Sequence, residues 1–131
     1  MAAGTPVSVD CGDCIWLTSD PDVIRARERI RTLATTIGFS TADQALVETT
    51  IAELAISMLT YARSGEIRLE VVTEGDLTGL RVVARDWGLA EERFELSNVQ
   101  HLVDDVDVQR RTGRGTVVTI TKWLRSTSAA A

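Results

Sequence analysis

The chain has 131 residues, of which 44% are hydrophobic and 25% charged, and its net charge is -5. This length suits a single domain, residues 1–131, with frayed ends at 1–5 and 126–131. No apolar run approaches the ~20 residues that cross a membrane, and the first residues lack the basic and apolar segments of an export signal. The negative charge disfavours a phosphate backbone. We therefore expect a cytoplasmic protein that has neither nucleic acid nor membrane as its partner.

The first predicted helix begins after Asp20. Asp20 is predicted as its N-cap, Pro21 occupies the first helical position, and Gly38 follows the last turn. Its apolar residues recur at helical spacing and form one stripe, whereas four arginines point mostly elsewhere. The arginine run is interpreted as a solvated face rather than a binding patch.

The second predicted helix opens with a capping box from Thr41 to Gln44 and runs to Gly65. Its core stripe consists of Val47, Ile51, Leu54, Ala55, Met58 and Ala62. A second, polar face recurs at the same spacing and consists of Thr50, Glu53, Ser57 and Thr60. This face is the first indication of a functional site.

Alternating apolar residues predict strands in the rest of the chain. The predicted elements are a hairpin of 66–72 and 77–86, a short helix headed by a capping box from Ser97 to Gln100, a final hairpin of 105–111 and 117–123, and an edge strand at 14–18. Helices gathered on one face of a mostly antiparallel sheet make an α+β two-layer sandwich.

Four stretches of the sequence carry a family resemblance. They are "GFSTADQALVETTIAELA", "ARDWG", "LSNVQHLVDD" and "GRGTVVTITKWLR". With these motifs the chain resembles the RsbT-type switch kinases and RsbW-type anti-sigma serine/threonine kinases of the GHKL superfamily. The resemblance covers nearly the whole chain and implies the histidine-kinase-like ATPase (Bergerat) fold.

The resemblance assigns a role to five positions. Glu53 matches the acid that serves the attacking serine hydroxyl as base, and Ser57 stands where an asparagine ligates Mg²⁺. Asp86 matches the aspartate that accepts a hydrogen bond from the adenine amino group. Gly88 lies where the backbone approaches the base closely, and Thr116 matches a threonine on the floor of the adenine pocket.

The sequence departs from the family where the phosphates of ATP would bind. Ser57 replaces the amide ligand of the metal, and Ala90 replaces the second glycine of the adenine motif. The span 91–112 contains neither the lid nor the Gly-rich loop that the family has there. Phosphoryl transfer depends on positioning and on stabilising phosphate charge, so these losses remove most of its machinery. We therefore interpret Glu53 as a vestigial base and Asp86, Gly88, Thr116 and Ser57 as a vestigial nucleotide site, with no cofactor and no resident metal.

These observations lead to one favoured hypothesis and two alternatives. The favoured one is a pseudokinase that acts as a protein-binding switch in bacterial stress and sigma-factor partner switching. By analogy its partners would be STAS-domain antagonists or scaffolds or a regulatory phosphatase, and a homodimer is left open. The first alternative is an active serine/threonine kinase that uses ATP and Mg²⁺ to phosphorylate a STAS-domain antagonist. The second makes Cys11 and Cys14, interpreted first as inert thiols, a redox switch.

Overall fold

The computed structural model describes residues 14–61, 64–86, 99–111 and 115–124. The elements are β1 (Cys14–Leu17), α1 (Asp20–Ile37), α2 (Thr41–Tyr61), β2 (Gly65–Glu74), β3 (Leu77–Asp86), β4 (Asp105–Arg111) and β5 (Gly115–Trp123). The five strands form one sheet in the order β1-β2-β3-β5-β4, and every neighbouring pair is antiparallel. The predicted α+β class with a mostly antiparallel sheet is confirmed. The family's lid would fall in the span 91–112, and residues 91–98 and 112 of it lie outside the described residues.

The core lies between the helices and one face of the sheet. Alternate residues of β2 and β3, such as Ile67, Leu69, Leu80 and Val82, are at most 3% exposed. Five residues of the predicted stripe of α2 are buried with them: Val47, Ile51, Leu54, Ala55 and Met58. The sixth, Ala62, lies outside the described residues. The opposite face of the sheet carries charged pairs such as Arg68 with Glu66, as expected for an antiparallel sheet with one solvated side.

Helix α1 is capped one residue earlier than predicted. Ser19 is the N-cap, with extended backbone, and Asp20 is the first helical residue, so the assignment of the cap to Asp20 was wrong. The decisive group is the carboxylate of Asp22, whose Oδ2 accepts hydrogen bonds from the backbone N–H groups of Thr18 at 2.9 Å and Ser19 at 3.2 Å. Gly38 ends the helix with a φ of 102°, a conformation that favours glycine.

Acid is expected to weaken this helix start. The hydrogen bond from the backbone of Thr18 holds the pKa of Asp22 below its ordinary value, despite an opposing contribution from desolvation. A carboxyl group with a lower pKa in the folded state stabilises the protein above its unfolded pKa, near 4, and loses that contribution as the pH falls through the folded pKa. Urea unfolding between pH 6 and pH 2 should show this loss. The variant Asp22→Asn should show a shallower pH dependence, and an unchanged slope would contradict the assignment.

Helix α2 also differs from the prediction at both ends. Its cap is Ser40, whose Oγ accepts a hydrogen bond from the backbone N–H of Asp43 at 3.1 Å, so the capping box assigned to Thr41 and Gln44 was wrong. Gln44 instead donates from Nε2 to the carbonyl of Phe39 at 3.2 Å. The helix ends at Tyr61, and Gly65 is the first residue of β2 rather than a helix stop.

One arginine of the predicted solvated face has a structural role. Arg31 donates two hydrogen bonds to the carboxylate of Glu48, at 2.9 and 3.0 Å, and so links α1 to α2. Arg27 lies 3.8 Å from the same carboxylate. These contacts hold the pKa of Glu48 below its ordinary value, with the hydrogen bond from Arg31 as the main cause.

The hairpins match their predictions, but the short helix between them does not. Gly75 and Asp76 form the two-residue turn between β2 and β3, and Gly75 has a φ of 62°. Residues 99–104, predicted to be helical, form a turn in which the N–H of Leu102 donates to the carbonyl of Val99 at 2.9 Å. Strand β4 then begins at Asp105, which leaves no room for a helix in this part of the segment.

Candidate functional site

One row of residues crosses the sheet at the end where β3 finishes. The strand registers place Gly65 opposite Asp86, Asp86 opposite Thr116, and Thr116 opposite Arg110. Directly opposed residues of antiparallel strands point to the same face, and their Cβ atoms lie about 4.5–5.5 Å apart. This row is therefore a continuous line of four neighbouring positions across β2, β3, β5 and β4.

The row lies on the helix-covered face of the sheet. The next row inward pairs Ala84 with Val118, which are 1% and 0% exposed. Because side chains alternate between faces with a period of two, Asp86 and Thr116 share that side. Asp86 is buried, at 7% exposure, and Thr116 is half-buried. A carboxylate and a hydroxyl thus stand side by side at the edge of an apolar floor.

One side of α2 faces the half of the sheet that contains β3 and β5. Asp43, at its start, lies 3.8 Å from Lys122 of β5, measured between Oδ1 and Nζ. Thr50 and Ser57 follow at seven-residue spacings, which keeps them on the same side of the helix. Thr50 is buried and donates from Oγ1 to the carbonyl of Leu46 at 2.8 Å, whereas Ser57 is half-buried. Ser57 is therefore the member of the predicted polar face that is placed beside the sheet and still accessible.

Glu53 stands further out. It is exposed, in one line with Thr49, Ile56 and Thr60 on the outer surface of α2. Ile56, three residues on, is 54% exposed. Glu53, the candidate base, therefore lies on the outer surface of α2. It is next to the side of the helix that faces the sheet.

The structure brings together part of the predicted site. Asp86 and Thr116 are adjacent, and Ser57 lies on the side of α2 that faces their half of the sheet. Gly88 and Ala90 lie outside the described residues. Among the described residues, no group of three or more His, Cys, Asp or Glu side chains could hold a metal ion. In the same part of the chain no helix is long and apolar enough to cross a membrane.

Sequence reasoning missed two members of the row. Gly65 was assigned to the end of a helix, and Arg110 had no assigned role. A signal for Arg110 was available in the final hairpin, because pairing Arg111 with Gly115 across the turn fixes Arg110 opposite Thr116. The β2–β3 turn places Gly65 opposite Asp86 in the same way, but only if the register holds along the whole hairpin.

Comparison with known proteins identifies the relatives of the chain. No protein-family model matches it. It is 32% identical over 128 residues to the serine/threonine-protein kinase RsbT of Bacillus subtilis (strain 168), an alignment that covers 86% of this chain and 96% of the relative. It also superposes on the crystal structure of the RsbU and RsbW domains of Rv1364c from Mycobacterium tuberculosis with a TM-score of 0.60 and 18% identity, and this similarity bears on the fold alone. The match covers 86% of this chain and 33% of that longer one. By its similarity to RsbT, the chain belongs to the RsbT/RsbW-type family of partner-switching regulatory kinases.

Proposed function

We propose that this protein is a degenerate RsbT-like switch that acts by binding partner proteins, with phosphoryl transfer lost. The observation that carries the proposal is the length of the connection between β3 and β4. These strands are parallel to each other, because each is antiparallel to β5, which lies between them. The chain must therefore cross over from one to the other, and such a crossover takes a dozen or more residues.

Few residues are available for this connection. It starts after Asp86, at the Thr116 row, and ends at Asp105, opposite Thr121. Five residues of strand separate these rows, or about 17 Å at roughly 3.3 Å per residue. Eighteen residues, 87–104, are available, and the last six form the turn before β4. Twelve residues therefore remain for the crossover itself, which is about the minimum for a connection between parallel strands. A connection near this minimum leaves few residues for a lid and a separate phosphate-binding loop.

The alignment with RsbT supports the same conclusion. Its 128 positions take up 86% of this 131-residue chain, which is about 113 residues, so about 15 positions of the relative have no counterpart here. A deletion of this size in the β3–β4 connection would account for the short crossover. Without groups that hold and neutralise the phosphates, an oriented nucleophile gives little catalysis, because phosphoryl transfer depends on positioning and charge stabilisation.

The exposed surface suits a binding role. Ile24 on α1 and Ile56 on α2 are more than half exposed, and Glu53 stands near Ile56 on the outer surface of α2. These side chains are accessible to a partner protein. By family analogy the partners are STAS-domain antagonists or scaffolds or a regulatory phosphatase, in a cytoplasmic stress-response pathway.

The proposal is tested by assaying phosphoryl transfer and binding side by side. The protein is mixed with a STAS-domain antagonist protein and labelled ATP with Mg²⁺, with RsbT of Bacillus subtilis as the positive control. We expect RsbT to label its substrate, and we expect this protein to give no label above background while forming a complex that gel filtration detects. Glu53→Gln should leave that complex intact.

Label on the STAS-domain protein that depends on Glu53 would overturn the proposal and establish the active kinase. Thr49→Gln, on the same exposed line of α2, is the matched control for the substitution. If neither a complex nor label forms with any STAS-domain protein or regulatory phosphatase tested, the proposed partners are wrong.

A further inference from the structure

Strand β4 forms one edge of the sheet. It pairs with β5 on its inner side, and in the described part of the chain no strand pairs with its outer side. All seven of its residues, Asp105 to Arg111, oppose β5 in one unbroken register without a bulge. Helices α1 and α2 pack mainly over β1, β2 and β3, at a distance from this edge. A regular edge of this kind presents a row of backbone donors and acceptors that a further strand can pair with.

The strand lacks the usual devices that prevent such pairing. Natural edge strands are blunted by bulges, by proline and by charges, lysine above all. Strand β4 contains neither proline nor lysine, and its charges are separated by sign: Asp105 and Asp107 stand in its first half, Arg110 and Arg111 in its last. Two copies of such a strand repel each other when they run parallel and attract each other when they run antiparallel.

One antiparallel register is self-complementary. A two-fold axis that passes through Val108, perpendicular to the sheet, places Val108 opposite its own copy. It also places Asp107 opposite Gln109 of the second copy, twice, and both residues are exposed in the single chain. Opposed side chains point to the same face with Cβ atoms about 4.5–5.5 Å apart, so each carboxylate can accept a hydrogen bond from an amide. Moving the axis by one residue to Asp107 would instead oppose two carboxylates.

The same register joins apolar side chains on the other face of the sheet. Val106 and Val108 are half-buried on the helix side of β4. About the axis they form a cluster of four valines with those of the second copy, and Arg110 of each chain lies opposite Val106 of the other. The long stem of an arginine can cover such a valine while its guanidinium stays in water.

We propose that a second copy of this chain occupies the β4 edge, by antiparallel pairing of the two strands about Val108. The dimer joins two five-stranded sheets into one and places the helices of both copies on the same side, because the axis is perpendicular to the sheet. The inference goes beyond the proposed function, since it concerns the assembly of the chain and not its nucleotide chemistry.

Disulfide formation at single positions tests the register. In the background Cys11→Ser/Cys14→Ser, Val108→Cys places two thiols directly opposite each other across the axis. Val106→Cys is the matched control, because it lies on the same face and is equally half-buried, but its two copies stand four residues apart along the strands, or about 13 Å. Under mild oxidation we expect a covalent dimer from Val108→Cys and a monomer from Val106→Cys. Equal cross-linking of the two, or none from either, would overturn the inference.

Sedimentation equilibrium tests the charge pattern without altering the axis. We expect the wild-type chain to have the mass of two copies at high concentration. Gln109→Glu opposes a carboxylate to Asp107 at both ends of the interface and should raise the dimer Kd at least about tenfold. Adding Asp107→Lys should restore association, because a lysine then opposes the new carboxylate. Thr73→Glu adds the same charge at an exposed position of β2 and should leave the dimer unchanged.

Three results of this experiment would contradict the interface. A wild-type chain that stays monomeric up to millimolar concentration has no such dimer. A dimer that Gln109→Glu leaves unchanged, or that Thr73→Glu weakens as much, is held together by another surface. Failure of Asp107→Lys to restore association would show that the two positions are not opposed. The labelling assay on the STAS-domain protein decides the proposed function separately, since none of these outcomes depends on phosphoryl transfer.

Discussion

Replacing Gly65 by valine is expected to lower the free energy of unfolding by about 3 kcal/mol or more, as overpacking of a tight core position does. A Cβ atom at this position would overlap the terminal methyl group of Met58 and lie 2.8 Å from the backbone carbonyl oxygen of Arg85. Met58 is 1% exposed, so its methyl group cannot move aside without displacing other core atoms. The carbonyl belongs to β3, which is hydrogen-bonded on both sides and cannot shift alone.

The control for this substitution is Gly75→Asn in the β2–β3 turn. No atom lies within 4 Å of a Cβ built on Gly75, and its φ of 62° is a conformation that asparagine adopts more readily than most residues. We expect a loss of no more than about 0.5 kcal/mol there, as at other surface sites. Urea denaturation of both variants measures the difference. Gly65 is not a site of close packing if the two losses are equal.

A double variant separates the two contacts. Met58→Ala alone should cost about 2–4 kcal/mol, because it leaves a cavity under α2. Combined with Gly65→Val, it removes the methyl group that the new side chain would strike, so the joint loss should be smaller than the sum of the single losses. Strict additivity would mean that the strain comes from the Arg85 carbonyl alone.

The predictions from sequence succeeded where the determining interactions are local. The β2–β3 hairpin followed from alternation of Ile67, Leu69, Leu80 and Val82 on either side of the turn-like sequence 73–76, all within 20 residues of one another. The structure narrows that connection to the two-residue turn of Gly75 and Asp76. Both helix starts were misplaced by one residue, because Ser19 and Asp20, like Ser40 and Thr41, are adjacent capping residues with similar propensity. Which one caps depends on a tertiary detail, such as the carboxylate of Asp22 reaching back to Thr18.

The row that defines the candidate site could be predicted only in part. The resemblance placed Asp86 and Thr116 in one pocket, and their pairing in the sheet agrees with that placement. Arg110 and Gly65 both follow from hairpin registers, Gly65 only over the full length of β2 and β3. The contact of Gly65 with Met58 depends on helix packing, which no local pattern predicts. The helix predicted from Ser97 onward was absent over 99–104, where the chain must instead enter β4. A local capping pattern cannot anticipate where a crossover has to end.

The buried ion pair of Lys122 with Asp43 is expected to give a large loss of stability when it is broken, and a lysine next to the end of a strand did not suggest such burial. The lysine side chain is only 8% exposed, and its Nζ lies 3.8 Å from the Oδ1 of Asp43 at the start of α2. Removing one partner of a buried pair leaves the other charge without compensation, at a cost of roughly 3–5 kcal/mol for a fully buried pair. Asp43 is 20% exposed, so we expect Asp43→Ala to lower the free energy of unfolding by about 2–3 kcal/mol.

The reverse substitution should behave differently. Lys122→Met keeps the apolar stem and removes the buried charge, and replacing buried ions by apolar groups of similar volume is often neutral, so we expect a change within about 1 kcal/mol. Asp20→Ala is the control for the interaction of a carboxylate with the helix dipole, because Asp20 is exposed in the first turn of α1. We expect this substitution to lower the free energy of unfolding by about 0.5 kcal/mol. In the double variant Asp43→Ala/Lys122→Met, most of the loss caused by Asp43→Ala should disappear. Equal losses in Asp43→Ala and Asp20→Ala would instead show that the carboxylate acts only on the helix dipole, and that the buried ammonium of Lys122 is stabilised without it.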